Sequence, residues 1–257
     1  MDVVVLISGI ADPKWPLPKT PSIASLQIHL DRYGVLSPFD EAALQLALNL
    51  RDADPSARVV ALVAADQALT RRVAGWRPDE IHRLDLAAIR RWDGGALSSA
   101  LSHALVELAP AASLVLMGRE FGDYDDGSVP AGLAQVAGLP YFPLVLGLQR
   151  GDPGFSALRQ AATGLERVGL PDRALLSVTN DNGNRLRHPL MKNVMMARKA
   201  LLPDWRAPGA LGGGGLHLQA VRPATEPARR SGCEWLRGSP EQKAGALAQL
   251  LLAEIRP

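Results

Sequence analysis

One cysteine, Cys233, stands in 257 residues, which excludes an internal disulfide framework and any zinc or iron–sulfur site built from several cysteines. That agrees with a reducing compartment. Long apolar runs are missing too: Asp2-Val-Val-Val-Leu-Ile7 has no basic stretch before it and is too short for a signal peptide or a membrane span. The expectation is a cytoplasmic protein without membrane insertion. Neither charge sign dominates, since 28 Lys and Arg face 26 Asp and Glu, and no basic footprint for nucleic acid emerges. The five histidines, His29, His82, His103, His188 and His217, show no ligand spacing and no nucleophile beside them. They read as surface or structural residues, so neither a metal site nor a catalytic group is expected.

What is present is ordinary globular composition, 47% apolar and 21% charged, in a chain long enough to bury a sizeable core. One large domain with appendages is the natural reading. The opening run, with three valines in succession, suits a central parallel strand covered on both faces. After a loop holding Pro13, Pro16, Pro18 and Pro21 comes Ser37-Pro-Phe-Asp-Glu41. Here Ser37 can cap, Pro38 suits the first helical position and the acids complement the helix dipole. The pattern predicts a helix over 38–51, then strand 57–64, helix 67–74, edge strand 81–84, helix 95–108 and strand 113–117.

Such alternation argues for a doubly wound, mainly parallel α/β sheet of Rossmann-like, adenine-nucleotide-binding type, with ligands at the carboxyl ends of its strands. Strands at 144–148, 155–161 and 175–178 extend it as a β-rich part, with a hairpin turn at 151–154. A helix is expected over 189–201, with Met195 and Met196 in its core and a polar loop, 180–187, before it. Glycines and prolines between 203 and 232 read as an arm, and Ser239-Pro-Glu-Gln242 opens a final amphipathic helix. The expected division is a domain over 1–202 and an arm with its helix over 203–257.

Residues 118–129, GREFGDYDDGSV, follow one strand and precede a helix. Glycines let backbone approach a ligand, and free N–H groups with the helix dipole favour phosphate. Asp123, Asp125 and Asp126 also have the alternate spacing of a hard-cation loop, although turn caps explain them more simply. Phe39 alone reads as helix-start core, and Cys233 as inert.

Taken together, Ser37-Pro-Phe-Asp-Glu-Ala42, residues 118–129, Ala162-Thr-Gly-Leu-Glu166 and the PLMKNVMMARK segment over 189–199 resemble, in order and spacing, the β subunit of electron-transfer flavoproteins. The resemblance implies a heterodimer in which an α subunit holds most of the FAD site and the β subunit holds a structural AMP. The implied nucleotide positions are Leu6, Ser37, Pro38, Phe39, Asp40, Ala64, Gly118, Phe121, Gly122, Asp123, Asp125, Gly127, Ser128 and Val129. Phe39 is implied to approach the flavin. Glu166 matches an acid that pairs with an α-subunit arginine, an exposed contact worth about 0–1 kcal/mol. Met191 takes the place of an anchor inserted into a dehydrogenase, and Lys192 replaces the proline after it.

The implied role is electron carriage, without catalytic acid–base residues, from flavoprotein dehydrogenases to a quinone oxidoreductase or another acceptor. Two alternatives stay open: a stand-alone adenine-nucleotide-binding protein similar to the universal stress proteins, and a bifurcating β subunit with a second FAD in place of AMP.

Overall fold

The computed structural model describes residues 1–89, 93–122, 126–151, 154–208, 219–222 and 235–255. Strand β1 (Asp2–Ile7) is followed by β2 (Ile10–Ala11), α1 (Ile23–Tyr33), β3 (Gly34–Val35), α2 (Pro38–Ala53), β4 (Arg58–Val63), α3 (Gln67–Ala74) and β5 (Glu80–Asp85). Then come α4 (Gly94–Leu108), β6 (Ala112–Gly118), α5 (Ser128–Ala137), β7 (Tyr141–Arg150), β8 (Phe155–Ala161), β9 (Gly164–Leu170) and β10 (Ala174–Val178). The order ends with α6 (Met191–Ala197), β11 (Asp204–Arg206) and α7 (Pro240–Ile255). This is the doubly wound α/β architecture expected above.

Among the described residues, nine strands form one sheet in the order β11-β5-β4-β1-β6-β10-β7-β8-β9. Neighbours run parallel from β11 to β7, while β7, β8 and β9 form an antiparallel meander. Strand β1 shows why its unbroken apolar run is central. Val3, Val5 and Ile7 enter the core beside α2 and α3, whereas Val4 and Leu6 enter the opposite core beside α4 and α5. All five are fully buried, as period-two alternation between two covered faces requires.

From β1 the chain moves outward through β4 and β5, then crosses back to place β6 on the other flank of β1. That reversal opens a crevice at the carboxyl ends of the strands, the usual ligand position in such sheets.

Several elements depart from expectation. β5 is not an edge strand, because β11 pairs with it in parallel through Asp204↔Arg83, Trp205↔Leu84 and Arg206↔Asp85. Helix α1, capped by a reciprocal Ser22–Ser25 box, and strand β9 were not expected. The helix predicted over 189–201 shortens to α6, with Met195 and Met196 on its exposed side. Residues 1–222 form one compact unit and 223–257 a second. Within the latter, α7 begins at a Ser239–Gln242 capping pair and exposes Leu247, Leu250, Leu251 and Leu252.

Candidate functional site

At the carboxyl end of β1 the chain turns sharply through Ser8 and Gly9, the latter at φ 68°. The turn is held from behind by α2. Asp40 Oδ1 accepts from the Ser8 N–H at 3.3 Å, and its Oδ2 accepts from the N–H groups of Gly9 at 3.0 Å and Ser37 at 3.1 Å. In return the Asp40 N–H donates to Ser37 Oγ at 2.9 Å. One carboxylate therefore caps α2 and fixes the first strand's exit.

Asp40 is fully buried, and burial pushes its carboxyl from the ordinary 3.8 up to about 6, against the hydrogen bonds from Ser37, Ser8 and Gly9 that pull it down. The network reaches the loop after β6. The Gly122 N–H donates to Ser8 Oγ at 2.6 Å, so the ends of β1 and β6 and the start of α2 are tied together at the topological reversal.

Beside this knot lies a cleft of about 810 Å³ lined by Ser8, Gly9, Ala64, Asp66, Arg83, Asp85, Phe121 and Gly122, with Leu84, Leu86, Ile89 and Leu97 supplying apolar wall. Its outer wall is α1, which turns Ile23, Ala24, Gln27 and Asp31 toward it, a spacing that sets one helical face on the opening. Asp66 Oδ1 caps α3 by accepting the Leu69 N–H at 2.8 Å. Arg83 donates through Nε and Nη2 to both Asp204 carboxylate oxygens, at 2.8 and 3.0 Å, and this contact holds the Asp204 carboxyl below its ordinary value.

The expected site residues fall into four groups. Ala64, Phe121 and Gly122 line the cleft. Leu6, Ser37 and Asp40 are buried immediately behind it, while Pro38 is exposed on the first turn of α2. Phe39 is half-buried under the Arg119 guanidinium, 4.9 Å from its ring centre, beside Gly118 at the end of β6. At the start of α5, Gly127 has a left-handed backbone, Ser128 N–H donates to Asp126 Oδ1 at 2.8 Å, and Val129 is buried. Asp123 and Asp125, and with them the cation reading of their loop, lie outside the described residues.

Elsewhere, Glu166 on β9 pairs with Arg159 on β8. Met191 and Lys192 open α6, both exposed, next to Leu190. Sequence reasoning overlooked Ser8, Gly9, Asp66, Arg83, Asp85 and the α1 wall. A Ser-Gly turn directly after the first strand, an Asp capping the helix after the next strand and the Ser22 cap of α1 were the available signals; nothing local marked Arg83.

The cleft volume lies within the range of small-molecule sites, and apolar wall facing polar turns suits a nucleotide's planar base and hydroxyls. The Arg119 guanidinium donates through Nη2 to Glu120, while its buried Nε has no hydrogen-bond partner among the described residues. An adenylate fits these features. A flavin would find only one wall here, around Phe39 and Arg119.

A curated relative named electron transfer flavoprotein subunit beta, from Syntrophomonas wolfei subsp. wolfei (strain DSM 2245B / Goettingen), is 26% identical over 172 residues, or 64% of this chain. The match spans 65% of that relative's length. A family model described as electron transfer flavoprotein domain matches residues 25–208. Since that match takes in everything from α2 to β11, including most of the cleft, this chain belongs to the electron transfer flavoprotein family.

Proposed function

We propose that this chain is the β subunit of a heterodimeric electron transfer flavoprotein, which accepts electrons from flavoprotein dehydrogenases and passes them to a quinone oxidoreductase or another acceptor. The observation that carries the reading is the junction at the sheet's reversal, where Asp40, Ser8 and Gly122 fix the floor of a nucleotide-sized cleft within a chain of this family. In that cleft AMP would have its base against Leu84, Leu86 and Leu97, while its phosphate would face Gly122 and the first turn of α5.

FAD, mostly held by an α subunit, would supply reversible one- or two-electron acceptance. The residues of this chain position rather than react. Phe39, pressed between Arg119 and Gly118, offers a rigid ring toward the partner. Glu166 sits on the outer strand of the meander with Arg159 as its local partner, from which a second arginine can draw it at a cost of about 0–1 kcal/mol. Leu190, Met191 and Met195 form an exposed apolar face on α6 that suits docking into a dehydrogenase pocket, where such anchors concentrate binding energy.

Coexpression with the α-type chain from the same source tests the proposal. The expected product is a yellow heterodimer that releases one FAD and one AMP on denaturation. A colourless chain that binds no such partner refutes it, and two FAD with no AMP would assign the cleft to a second flavin.

A further inference from the structure

Five methionines occur in the chain, and three of them stand within the seven residues of α6. Met191, Met195 and Met196 are 73%, 61% and 54% exposed, whereas Met117 in β6 is fully buried and Met1 is half-buried against the core. Helical spacing puts Met191 and Met195 one turn apart on a shared face, and Leu190 and Leu201, 70% and 99% exposed, flank them. The three accessible thioethers, two of them on one face, thus crowd a single short apolar helix.

We propose that α6 is a methionine-oxidation site that takes hydroperoxides as substrate and converts this surface reversibly from apolar to polar. A sulfur lone pair attacks the distal peroxide oxygen. The S–O bond forms as the O–O bond breaks, and the leaving oxygen takes up a proton to depart as water or alcohol. Each thioether loses two electrons to the peroxide and becomes a sulfoxide, which a methionine sulfoxide reductase returns to the thioether while a dithiol is oxidised. A sulfoxide is a strong hydrogen-bond acceptor whose burial in an apolar pocket without a donor is costly, so oxidation opposes any contact that this face makes as an apolar one. Leucine at the same positions would supply similar apolar area without this sensitivity, a difference that makes the methionines chemically distinct from a plain hydrophobic anchor.

The oxidation site rests on exposure and chemistry within this chain; its effect on partners rests on the docking role proposed above. The test uses the full chain with Cys233→Ser, so that only thioethers react, treated with hydrogen peroxide and followed by peptide mass spectrometry and by retention on a phenyl column. Additions of about 16 Da each should appear on Met191, Met195 and Met196 about tenfold or more faster than on Met117. Retention should fall in step, and methionine sulfoxide reductase should restore it. The Met191→Leu/Met195→Leu/Met196→Leu variant should keep full retention through peroxide treatment, and the corresponding triple glutamine variant should show the oxidised retention from the start.

Equal oxidation of Met117, resistance of the three α6 residues, or unchanged retention once they are oxidised overturns the proposal. A fully oxidised α6 with normal reductase recovery, in a heterodimer that still takes electrons from a donor dehydrogenase at an unchanged rate, upholds the site and removes the docking role instead.

Discussion

The substitution Asp40→Asn keeps the side chain's volume and removes its titration, which makes the pH dependence of stability a direct readout of the knot beneath the cleft. In the folded chain this carboxyl is raised from 3.8 to about 6 by burial, so the native state holds the proton more tightly than the unfolded state does. A raised acid of this kind contributes stability that is fully present below the unfolded value and is lost as pH climbs through the folded one. The full span corresponds to about 3 kcal/mol at 1.36 kcal/mol per unit. Between pH 4.5 and 7.5 about 2 kcal/mol of it disappears.

The amide of the variant cannot titrate, and in either orientation its NH2 faces backbone N–H groups, that of Ser8 or those of Gly9 and Ser37, for a pH-independent cost of about 1–3 kcal/mol. Urea unfolding of both proteins at the two pH values should therefore show the wild type ahead at pH 4.5, with the gap closing by about 2 kcal/mol at pH 7.5. Exposed groups titrate alike in both proteins and cancel in the difference. Parallel profiles would refute the argument, because they would mean that the carboxylate is ionised throughout and that its three backbone donors fully offset its burial.

Gly9→Ala should destabilise the chain by about 2 kcal/mol or more: the left-handed backbone alone costs about 1–2 kcal/mol, and the new Cβ would meet Leu69 Cδ2 at 2.4 Å and Val35 O at 3.1 Å. Gly127→Ala, at φ 72° with nothing within 4 Å, should cost only the backbone part, and thermal unfolding compares the two. Trp205→Ala should cost about 3–5 kcal/mol in urea unfolding, since Trp205 is buried in the α4 and α5 core and its indole N–H donates to Glu107. Met191→Lys should leave stability within about 0.5 kcal/mol yet raise the KM of a donor dehydrogenase for the carrier about thirtyfold, from an anchor cost of about 2 kcal/mol. Steady-state reduction assays measure that ratio.

Much of the sheet could be read before folding because β1, β4, β6 and β10 are buried on both faces, and two-sided burial leaves a continuous apolar run that needs no partner to be recognised. The start of α2 was legible for a similar reason, since Ser37, Pro38 and Asp40 act within one turn. Long-range dependence hid the rest. α1 buries a single residue, His29, and so carries no strong apolar stripe. β11 exists only through its pairing with β5 and the burial of Trp205. Met195 and Met196 looked like core because apolarity announces that a side chain can be buried, not that anything arrives to cover it. Asp40 was expected in the site as a nucleotide contact, whereas the structure has it holding the turn behind the cleft, through donors some thirty residues away in sequence.

The excursion from Ile10 to Val35 is closed at its base by two residue pairs, Ile10↔Val35 and Ala11↔Gly34, and by the Asp12 N–H donating to Tyr33 O at 2.9 Å. Its helix shares little buried surface with the sheet. The outer wall of the cleft is therefore attached like a shutter on a narrow frame, and its local opening should cost a small fraction of the free energy that unravels the strands beneath. Were a nucleotide bound there as proposed, its exchange would be uncoupled from global unfolding: a tenant could be replaced while the building stands.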